Sequence, residues 1–229
     1  MARTQGPEAV LFDLDETLMD HLSAEYAGAL VFFQRHPAPG WTDPEAFARE
    51  WHRLAEEWFL RYQAGETDFW GQRRSRMRAL FGPLSDAEAD RRFGDYIDGY
   101  ERHWKAFDDV GPCLDDLQSR NLRLGIITNG SRDVQSRKLA ALGLERRFEV
   151  LCCSADLGVS KPDPRIFAAA AAEFGLSLAS CVFVGDRRDV DAAAATAAGM
   201  RGIWLNRKDD LRAPEVETVL SLEELGGLI

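Results

Sequence analysis

The hydrophobic pattern of the chain changes along its length. Residues 9–12 form a short, wholly apolar run that ends at Asp13, which is typical of a buried parallel strand. From about residue 20 the apolar residues recur every three or four positions, as on one face of a helix, at Leu22, Tyr26, Leu30 and Phe33. The pattern therefore predicts a strand followed by a helical region.

Two helix starts can be placed within this region. Asp43 precedes Pro44, which predicts an N-cap followed by proline at the first helical position. The run from Ser85 to Glu88 has the spacing of a capping box. Residues 18–108 are therefore predicted to be all-helical, with about four helices.

After Gly111 and Pro112, short apolar runs alternate with helical patterns. The predicted helices cover 112–120, 132–142, 164–174 and 188–198, and the predicted strands cover 122–128, a short run near 150, 181–184 and 202–205. Alternating strands and helices favour a doubly wound parallel sheet. We therefore predict an α/β fold with a Rossmann-like core formed by residues 1–17 and 109–229, into which the helical region 18–108 is inserted.

Composition supports two differently built parts. Residues 18–108 hold five of the six Trp, all four Tyr and all four His, whereas the rest of the chain is mostly aliphatic. At 229 residues and 45% hydrophobic content the chain can bury a sizeable core, which excludes disorder as its dominant state.

Charge, hydropathy and cysteine usage limit the partners and the cellular compartment that we expect for the protein. The net charge of −10 disfavours a basic nucleic-acid platform, and no apolar run is long enough to cross a membrane. The N-terminal residues do not resemble a cleavable secretory signal. The four cysteines form no metal-binding pattern and are interpreted as buried thiols in a reducing compartment. We expect a cytoplasmic protein with no nucleic-acid or membrane partner.

Acidic residues follow the first predicted strand. If the strand continues far enough, Asp13 and Asp15 leave it on the same side. Neighbouring carboxylates repel one another, and a hard cation such as Mg²⁺ would stabilise them. An Asx turn or a helix cap closing the strand is an equal alternative on this segment alone.

Polar residues also follow three later strands. Thr128 and Asn129 precede a predicted helix, where an anion could bind, although a capped helix start would look the same. Lys161 lies in a rigid proline-containing loop and could neutralise a phosphate, although a solvated lysine is the simpler interpretation of that segment. Asp186 ends another strand, and Asp191 follows at the start of a helix. Carboxyl ends of strands are where open α/β sheets bind ligands.

The order of these four segments resembles the motifs of the haloacid dehalogenase (HAD) superfamily of phosphohydrolases. Asp13-Leu14-Asp15-Glu16-Thr17 matches the first motif, Thr128 the second, Lys161 the third, and Gly185-Asp186 with Asp191 the fourth. The resemblance covers roughly residues 8–206. The helical insertion after the first motif is similar to the C1-type cap of that family.

The resemblance implies roles for the acidic residues. Asp13 would be the nucleophile that forms an aspartyl-phosphate, and Asp15 the general acid/base. Mg²⁺ would be held by Asp13, the backbone carbonyl of Asp15, and Asp186. Asp191 would support the metal site or orient the lysine.

Phosphate contacts are implied in the same way. Thr128 and Lys161 would bind the phosphoryl oxygens, while Asn129 would support the second motif and contact substrate. The substrate would be a small phosphorylated metabolite such as a nucleotide or sugar phosphate. His21, just after the first motif, is the candidate for selectivity from the cap. The oligomeric state is left open as monomer or homodimer.

Other activities resemble this pattern less well. A 2-haloacid dehalogenase of this family lacks the acid at Asp15, and sugar phosphomutases tend to carry valine where Thr17 stands. A phosphotransferase or mutase remains the first alternative. A non-catalytic phospho-binding module is less favoured, because such a module has no need of the acid/base that Asp15 would supply. Val190 and Arg187 depart from the residues common in relatives, so the resemblance does not predict which contacts surround the fourth motif.

Overall fold

The computed structural model describes residues 6–208 and 211–229. The strands are β1 (Ala9–Phe12), β2 (Arg123–Thr128), β3 (Val150–Cys153), β4 (Cys181–Gly185), β5 (Arg201–Leu205) and β6 (Glu217–Val219). The helices are α1 (His21–Arg35), α2 (Pro44–Gln63), α3 (Phe69–Phe81), α4 (Asp86–Glu101), α5 (Val110–Ser119), α6 (Arg132–Ala141), α7 (Ser154–Leu157), α8 (Pro164–Phe174) and α9 (Ala194–Ala198). A π-helical segment, Arg188–Ala193, leads into α9, and short 3₁₀ helices span Leu178–Ser180 and Leu222–Gly227.

The chain separates into two compact units. Among the described residues, the first contains 6–20, 105–208 and 211–229, and the second contains 21–104. Two short segments of the first unit, residues 19–20 and 105–106, pair with each other. Met19 forms a β-bridge with Ala106, and the Asp20 N–H donates to the Lys105 carbonyl at 3.1 Å.

The first unit is built on a six-stranded parallel sheet in the order β3-β2-β1-β4-β5-β6. This order confirms the predicted doubly wound α/β fold. The strand order reverses at β1. From β1 the chain adds β2 and β3 on one side and then β4, β5 and β6 on the other. Phe12, the last residue of β1, pairs with Ile126 of β2 and Val184 of β4. The segments that follow these three strands therefore meet at one edge of the sheet.

Helix α8 covers one face of this sheet with a fully apolar surface. Its Phe167 packs edge-on against Phe183 of β4, with ring centroids 5.3 Å apart, and both rings are completely buried. Burying each ring contributes roughly 1.5–3 kcal/mol. Gly125 of β2 lies under Phe174, where a Cβ would come within 2.9 Å of the ring. The close approach of α8 to the sheet therefore requires glycine at that strand position.

The second unit consists of helices α1 to α4. The caps predicted from sequence are present, because the Asp43 carboxylate accepts from Glu45 N–H and the Ser85 hydroxyl oxygen from Glu88 N–H. Aromatic side chains fill its core, and Trp51, at its centre, is completely buried.

A charged group is buried within this aromatic core. Glu25 of α1 is 4% exposed, and its carboxylate lies 2.7 Å from His52 Nδ1 of α2 and 3.7 Å from the Arg76 guanidinium of α3. Burial alone would raise the pKa of Glu25, but the hydrogen bond from His52 and the nearby charges of His21 and Arg76 outweigh it and lower the pKa. Glu25 is therefore held as a carboxylate inside the helical unit.

None of the helices in residues 6–208 and 211–229 combines the length and apolar character needed to span a membrane.

Candidate active site

The first candidate segment follows β1 without continuing the strand. The strand ends at Phe12, and the Asp13 N–H still donates to the Val184 carbonyl at 2.9 Å. The chain then closes on itself, as the Glu16 N–H donates to the Met19 carbonyl and Glu16 adopts a positive φ of 62°. The spacing of Asp13 and Asp15 therefore reflects a tight turn rather than the alternation of an extended strand.

Lys161 bridges two buried carboxylates. Its ammonium lies 2.6 Å from Asp13 Oδ1 and 2.7 Å from Asp191 Oδ1. The Lys161 side chain is 3% exposed, and those of Asp13 and Asp191 are 10% and 1% exposed. Burial alone would lower the pKa of Lys161, but the two carboxylates outweigh it and raise the pKa. Lys161 is therefore a fixed positive charge beneath the carboxyl edge of the sheet.

Asp186 brings a third carboxylate to the same point. It follows β4 directly, and its backbone carbonyl accepts a hydrogen bond from Trp204 Nε1 of β5 at 2.8 Å. One carboxylate oxygen each from Asp13, Asp186 and Asp191 lies within 4.8 Å of the others. This set of hard oxygen donors matches the preference of Mg²⁺.

Burial and the proximity of the acids raise the pKa values of two of them. Burial raises the pKa of Asp13 to about 7, and the Asp191 carboxylate adds to the shift while Lys161 opposes it. Burial raises the pKa of Asp186 to about 8, helped by the charges of Asp13 and Asp191. The single ammonium of Lys161 does not balance three carboxylates, so a divalent cation would stabilise the cluster.

Glycine at the end of β4 makes room for Asp191. A Cβ on Gly185 would lie 2.5 Å from the Asp191 carboxyl group. Asp191 sits in the π-helical segment 188–193, and its carboxylate accepts from the Arg187 N–H at 2.9 Å. The wide turn of this segment carries the carboxylate back beneath the strand end.

Thr128 and Asn129 follow β2 in the same region. Thr128 is 1% exposed, and its hydroxyl accepts a hydrogen bond from Gln135 Nε2 of α6 at 2.7 Å. Asn129 links two loops, because its Nδ2 donates to the Lys161 carbonyl at 3.0 Å and its Oδ1 accepts from the Lys161 N–H at 2.8 Å. In this structure Asn129 thus fixes the backbone of the loop that carries Lys161.

Asp15 faces a buried lysine. Lys138 of α6 places its ammonium 2.6 Å and 2.8 Å from the two Asp15 carboxylate oxygens. The Lys138 side chain is 6% exposed, whereas that of Asp15 is 31% exposed. The candidate site therefore contains a second buried lysine beside Lys161, and this lysine pairs with Asp15.

An open cavity of about 310 Å³ adjoins Asp186. Its lining includes the aromatic ring of Trp204, the side chains of Arg187 and Lys208, and Glu16. The cavity lies within the first unit, and of the three clustered acids only Asp186 lines it.

His21, the predicted selectivity residue, lies in the second unit at the start of α1. Its Nδ1 is 2.6 Å from the Tyr100 hydroxyl, and the two rings pack edge-on. Its proposed contact with substrate stays a prediction.

Comparison with known proteins identifies the family. Residues 7–199 match the sequence profile of the haloacid dehalogenase-like hydrolases. The chain belongs to this family of hydrolases. The resemblance seen in the four motifs is thereby confirmed.

Several relatives match over most of this hydrolase. The phosphoserine phosphatase of Thermus thermophilus is 29% identical over 94% of this chain and 95% of its own length. The ribulose-1,5-bisphosphate 5-phosphatase of Halopiger xanaduensis is 28% identical over 90% of this chain and 88% of its own length. A third relative, the glyceraldehyde 3-phosphate phosphatase of Methanopyrus kandleri, is 37% identical over about half of each chain, 49% and 48%.

Solved structures share the fold of this hydrolase. The HAD-hydrolase YfnB from Bacillus subtilis, bound to magnesium, gives a TM-score of 0.79 at 23% identity and covers 98% of this chain and 99% of its own. The L-2-haloacid dehalogenase from Xanthobacter autotrophicus gives 0.72 at 22% identity and covers 97% and 98%. At these identities the likeness establishes the fold alone.

Gln135 and Lys138 of this hydrolase are not among the site residues predicted from the sequence. They lie three residues apart on α6 and are 2% and 4% exposed. Residues at this spacing share a helix face. The sequence feature that could have indicated them is a predicted helix that starts directly after the second motif and carries two long polar side chains on one face.

Proposed function

We propose that this hydrolase is a Mg²⁺-dependent phosphomonoesterase that acts on a small phosphorylated metabolite through an aspartyl-phosphate at Asp13. The observation that carries the proposal is the group of three carboxylates at the sheet edge, two of which, Asp13 and Asp191, are bridged by the buried ammonium of Lys161. Such a site combines a nucleophile, ligands for a hard cation and a fixed positive charge for a phosphoryl group.

The residues present fit a magnesium ion. The side chains of Asp13 and Asp186 and the backbone carbonyl of Asp15 would hold it, with the Asp191 carboxylate in reach of the same point. When bound, Mg²⁺ would neutralise charge on the phosphoryl oxygens and on the neighbouring carboxylates. The raised pKa values of Asp13 and Asp186 are consistent with this assignment, because burial and, to a lesser extent, neighbouring carboxylates disfavour the ionised form, which a bound cation would stabilise.

The first half of the reaction transfers the phosphoryl group to the protein. An Asp13 carboxylate oxygen forms a bond to phosphorus while the bond from phosphorus to the ester oxygen breaks. The bonding electron pair leaves with the ester oxygen, which takes the proton of Asp15 and departs as an alcohol. Lys161 and Thr128 would stabilise the phosphoryl oxygens during this transfer.

The second half returns the enzyme to its starting state. Asp15, now a carboxylate, takes a proton from a water molecule whose oxygen bonds to phosphorus. The bond between phosphorus and Asp13 breaks, its electron pair stays on the Asp13 carboxylate, and inorganic phosphate is released. Asp15 regains the proton needed for the next turnover, so one residue serves both halves.

The acid at Asp15 favours phosphate ester hydrolysis over dehalogenation, since a departing halide needs no proton. Two of the relatives that cover most of the chain are named as a phosphoserine phosphatase and a ribulose-1,5-bisphosphate 5-phosphatase, which supports a small phosphorylated substrate. We propose phosphoserine and the phosphates of short sugars as the first substrates to test.

Phosphate release from a panel of metabolite phosphates tests the proposal. We expect turnover with Mg²⁺, loss of turnover in excess EDTA, and loss of turnover in Asp13→Asn. Asp115→Asn is the matched control, because Asp115 is 73% exposed and pairs only at the surface with Arg147. Full turnover in Asp13→Asn or in excess EDTA, or halide release from 2-haloacids without any phosphate release, would overturn the proposal.

A further inference from the structure

Lys138 is a buried lysine that contacts a residue of the proposed reaction. Its ammonium donates to both carboxylate oxygens of Asp15, at 2.6 Å and 2.8 Å. Only 6% of its side chain is exposed. Lysine loses much rotamer freedom and hydration when it is buried, so such a placement needs a compensating interaction.

The fold aims Lys138 at Asp15. Side chains on a helix lean toward its N-terminus, and the N-terminus of α6 lies just after β2 at the carboxyl edge of the sheet. Gln135, one turn earlier on the same face, donates to the Thr128 hydroxyl at 2.7 Å. Two neighbouring positions of α6 therefore each contact a different residue of the candidate site.

The two lysines of the site contact different acids. Lys161 contacts Asp13 and Asp191, whereas Lys138 contacts Asp15. Asp15 is also the more exposed acid, with 31% of its side chain accessible against 10% for Asp13. A partly exposed carboxyl group after a tight turn has several rotamers available, and a two-point contact from a buried donor restricts them.

We propose that Lys138 is a positioning residue for Asp15, fixing its carboxyl group in the orientation that delivers a proton to the leaving oxygen. This inference rests on the proposed function. In the first half of the reaction, one Asp15 oxygen carries the proton that goes to the ester oxygen, and the other oxygen remains an acceptor for Lys138. Lys138 neither touches the phosphoryl group nor exchanges a proton in either half.

The leaving group distinguishes this role from a structural one. An alkyl phosphate releases a poor leaving group that needs the proton of Asp15, whereas 2,4-dinitrophenyl phosphate releases a stable phenolate that does not. General acid catalysis contributes about 10²- to 10⁴-fold, so poor orientation of the acid should remove a substantial part of it. We expect Lys138→Met to lower kcat/KM for phosphoserine by about 10- to 100-fold and for 2,4-dinitrophenyl phosphate by less than about 3-fold.

The test compares kcat/KM for the two esters in the full-length Mg²⁺-loaded enzyme. kcat/KM covers the steps up to transfer of the phosphoryl group, which is where the leaving group departs. Lys105→Met is the matched control, because Lys105 is 65% exposed and pairs with Asp20 at 3.1 Å outside the proposed machinery. If Lys138→Met does not fold, as judged by circular dichroism, Lys138→Gln takes its place with the same expected selectivity.

A second arm combines the substitution with Asp15→Asn. If Lys138 acts through Asp15, Lys138→Met should cause no further loss for phosphoserine in the Asp15→Asn background. Equal losses for both esters, a loss no larger than that of Lys105→Met, or a full additional loss in Asp15→Asn would overturn the positioning role. If phosphoserine is not a substrate, the best alkyl phosphate of the metabolite panel takes its place in the comparison. A wild-type enzyme that releases phosphate from no ester of that panel would instead overturn the proposed function itself.

Discussion

Removing the ammonium of Lys161 should destabilise the metal-free protein by several kcal/mol. Lys161 lies 2.6 Å from Asp13 and 2.7 Å from Asp191, and all three side chains are at most 10% exposed. Lys161→Met keeps an unbranched apolar side chain in the slot but leaves two buried carboxylates without their cation.

The expected magnitude follows from the distances. At 2.6 Å and an effective dielectric constant of about 20, each ion pair has a gross attraction of roughly 6 kcal/mol. The methionine variant recovers the several kcal/mol spent on desolvating the ammonium, which offsets part of that loss. Breaking a buried pair by removing one partner typically costs about 3–5 kcal/mol, and we expect Lys161→Met to fall in this range.

Urea denaturation in EDTA at neutral pH measures this loss as a change in the free energy of unfolding. Lys105→Met serves again as the exposed control and should change the free energy of unfolding by less than about 1 kcal/mol. Adding Mg²⁺ should recover part of the lost stability in Lys161→Met, because a ligand that binds the folded state stabilises it. A metal-free Lys161→Met protein within about 1 kcal/mol of wild type would refute the assignment of Lys161 as the cation that stabilises the buried Asp13 and Asp191 carboxylates.

Three further predictions concern other parts of the molecule. Gln135→Met removes the donor to Thr128 and should lower kcat/KM for a phosphate ester by roughly 2- to 10-fold, the equivalent of one hydrogen bond; unchanged kinetics would contradict it. The lowered pKa of Glu25 means that its carboxylate stabilises the folded state above pH 4.5 and that this contribution is lost as the pH falls through the lower, folded-state pKa. Glu25→Gln should therefore be less stable than wild type near pH 7, and thermal melts should show the difference shrinking below pH 4.5 rather than staying constant. Gly202→Ala would place a Cβ 1.9 Å from a backbone carbonyl oxygen and should lower the free energy of unfolding by about 3 kcal/mol or more. Gly94→Ala, with open space at its Cβ inside α4, should raise the free energy of unfolding by about 0.5–1 kcal/mol. Melting temperatures of the two variants that shift in the same direction would show the packing argument to be wrong.

Strong local signals made much of the fold predictable. Helix α8 begins and ends where the sequence analysis placed it, at residues 164 and 174, because Asp163 caps it before a proline and Gly175 ends it in a left-handed conformation. Strand β1 covers the predicted residues 9–12 because its four residues are all apolar and an acid follows.

Tertiary packing decided what the sequence pattern missed. Residues 188–198 were predicted as one helix, but the first six form a π-helical segment before α9 begins. Its wider turn carries the Asp191 carboxylate beneath Gly185, and the composition of the segment gives no sign of that displacement. Strand β6, at 217–219, was not predicted because three residues are too short for a periodic pattern.

The candidate site was partly predictable for a topological reason. Parallel strands end at one edge of the sheet, so the polar residues after β1, β2 and β4 were expected to converge there, and Asp13 and Asp186 do lie together. Lys138 could not be selected in this way, since a lysine on a helix is normally solvated and only the packing of α6 shows it to be buried.

The most direct test of the central claim is to trap the phosphorylated protein. Wild-type enzyme turning over a good substrate with Mg²⁺ is quenched in acid and digested, and its peptides are analysed by mass spectrometry. We predict one phosphoryl group on the peptide that contains Asp13, and neither phosphorylation nor turnover in Asp13→Asn. Wild-type turnover in Asp13→Asn, or a phosphoryl group on a different residue, would contradict the assignment of Asp13 as the nucleophile.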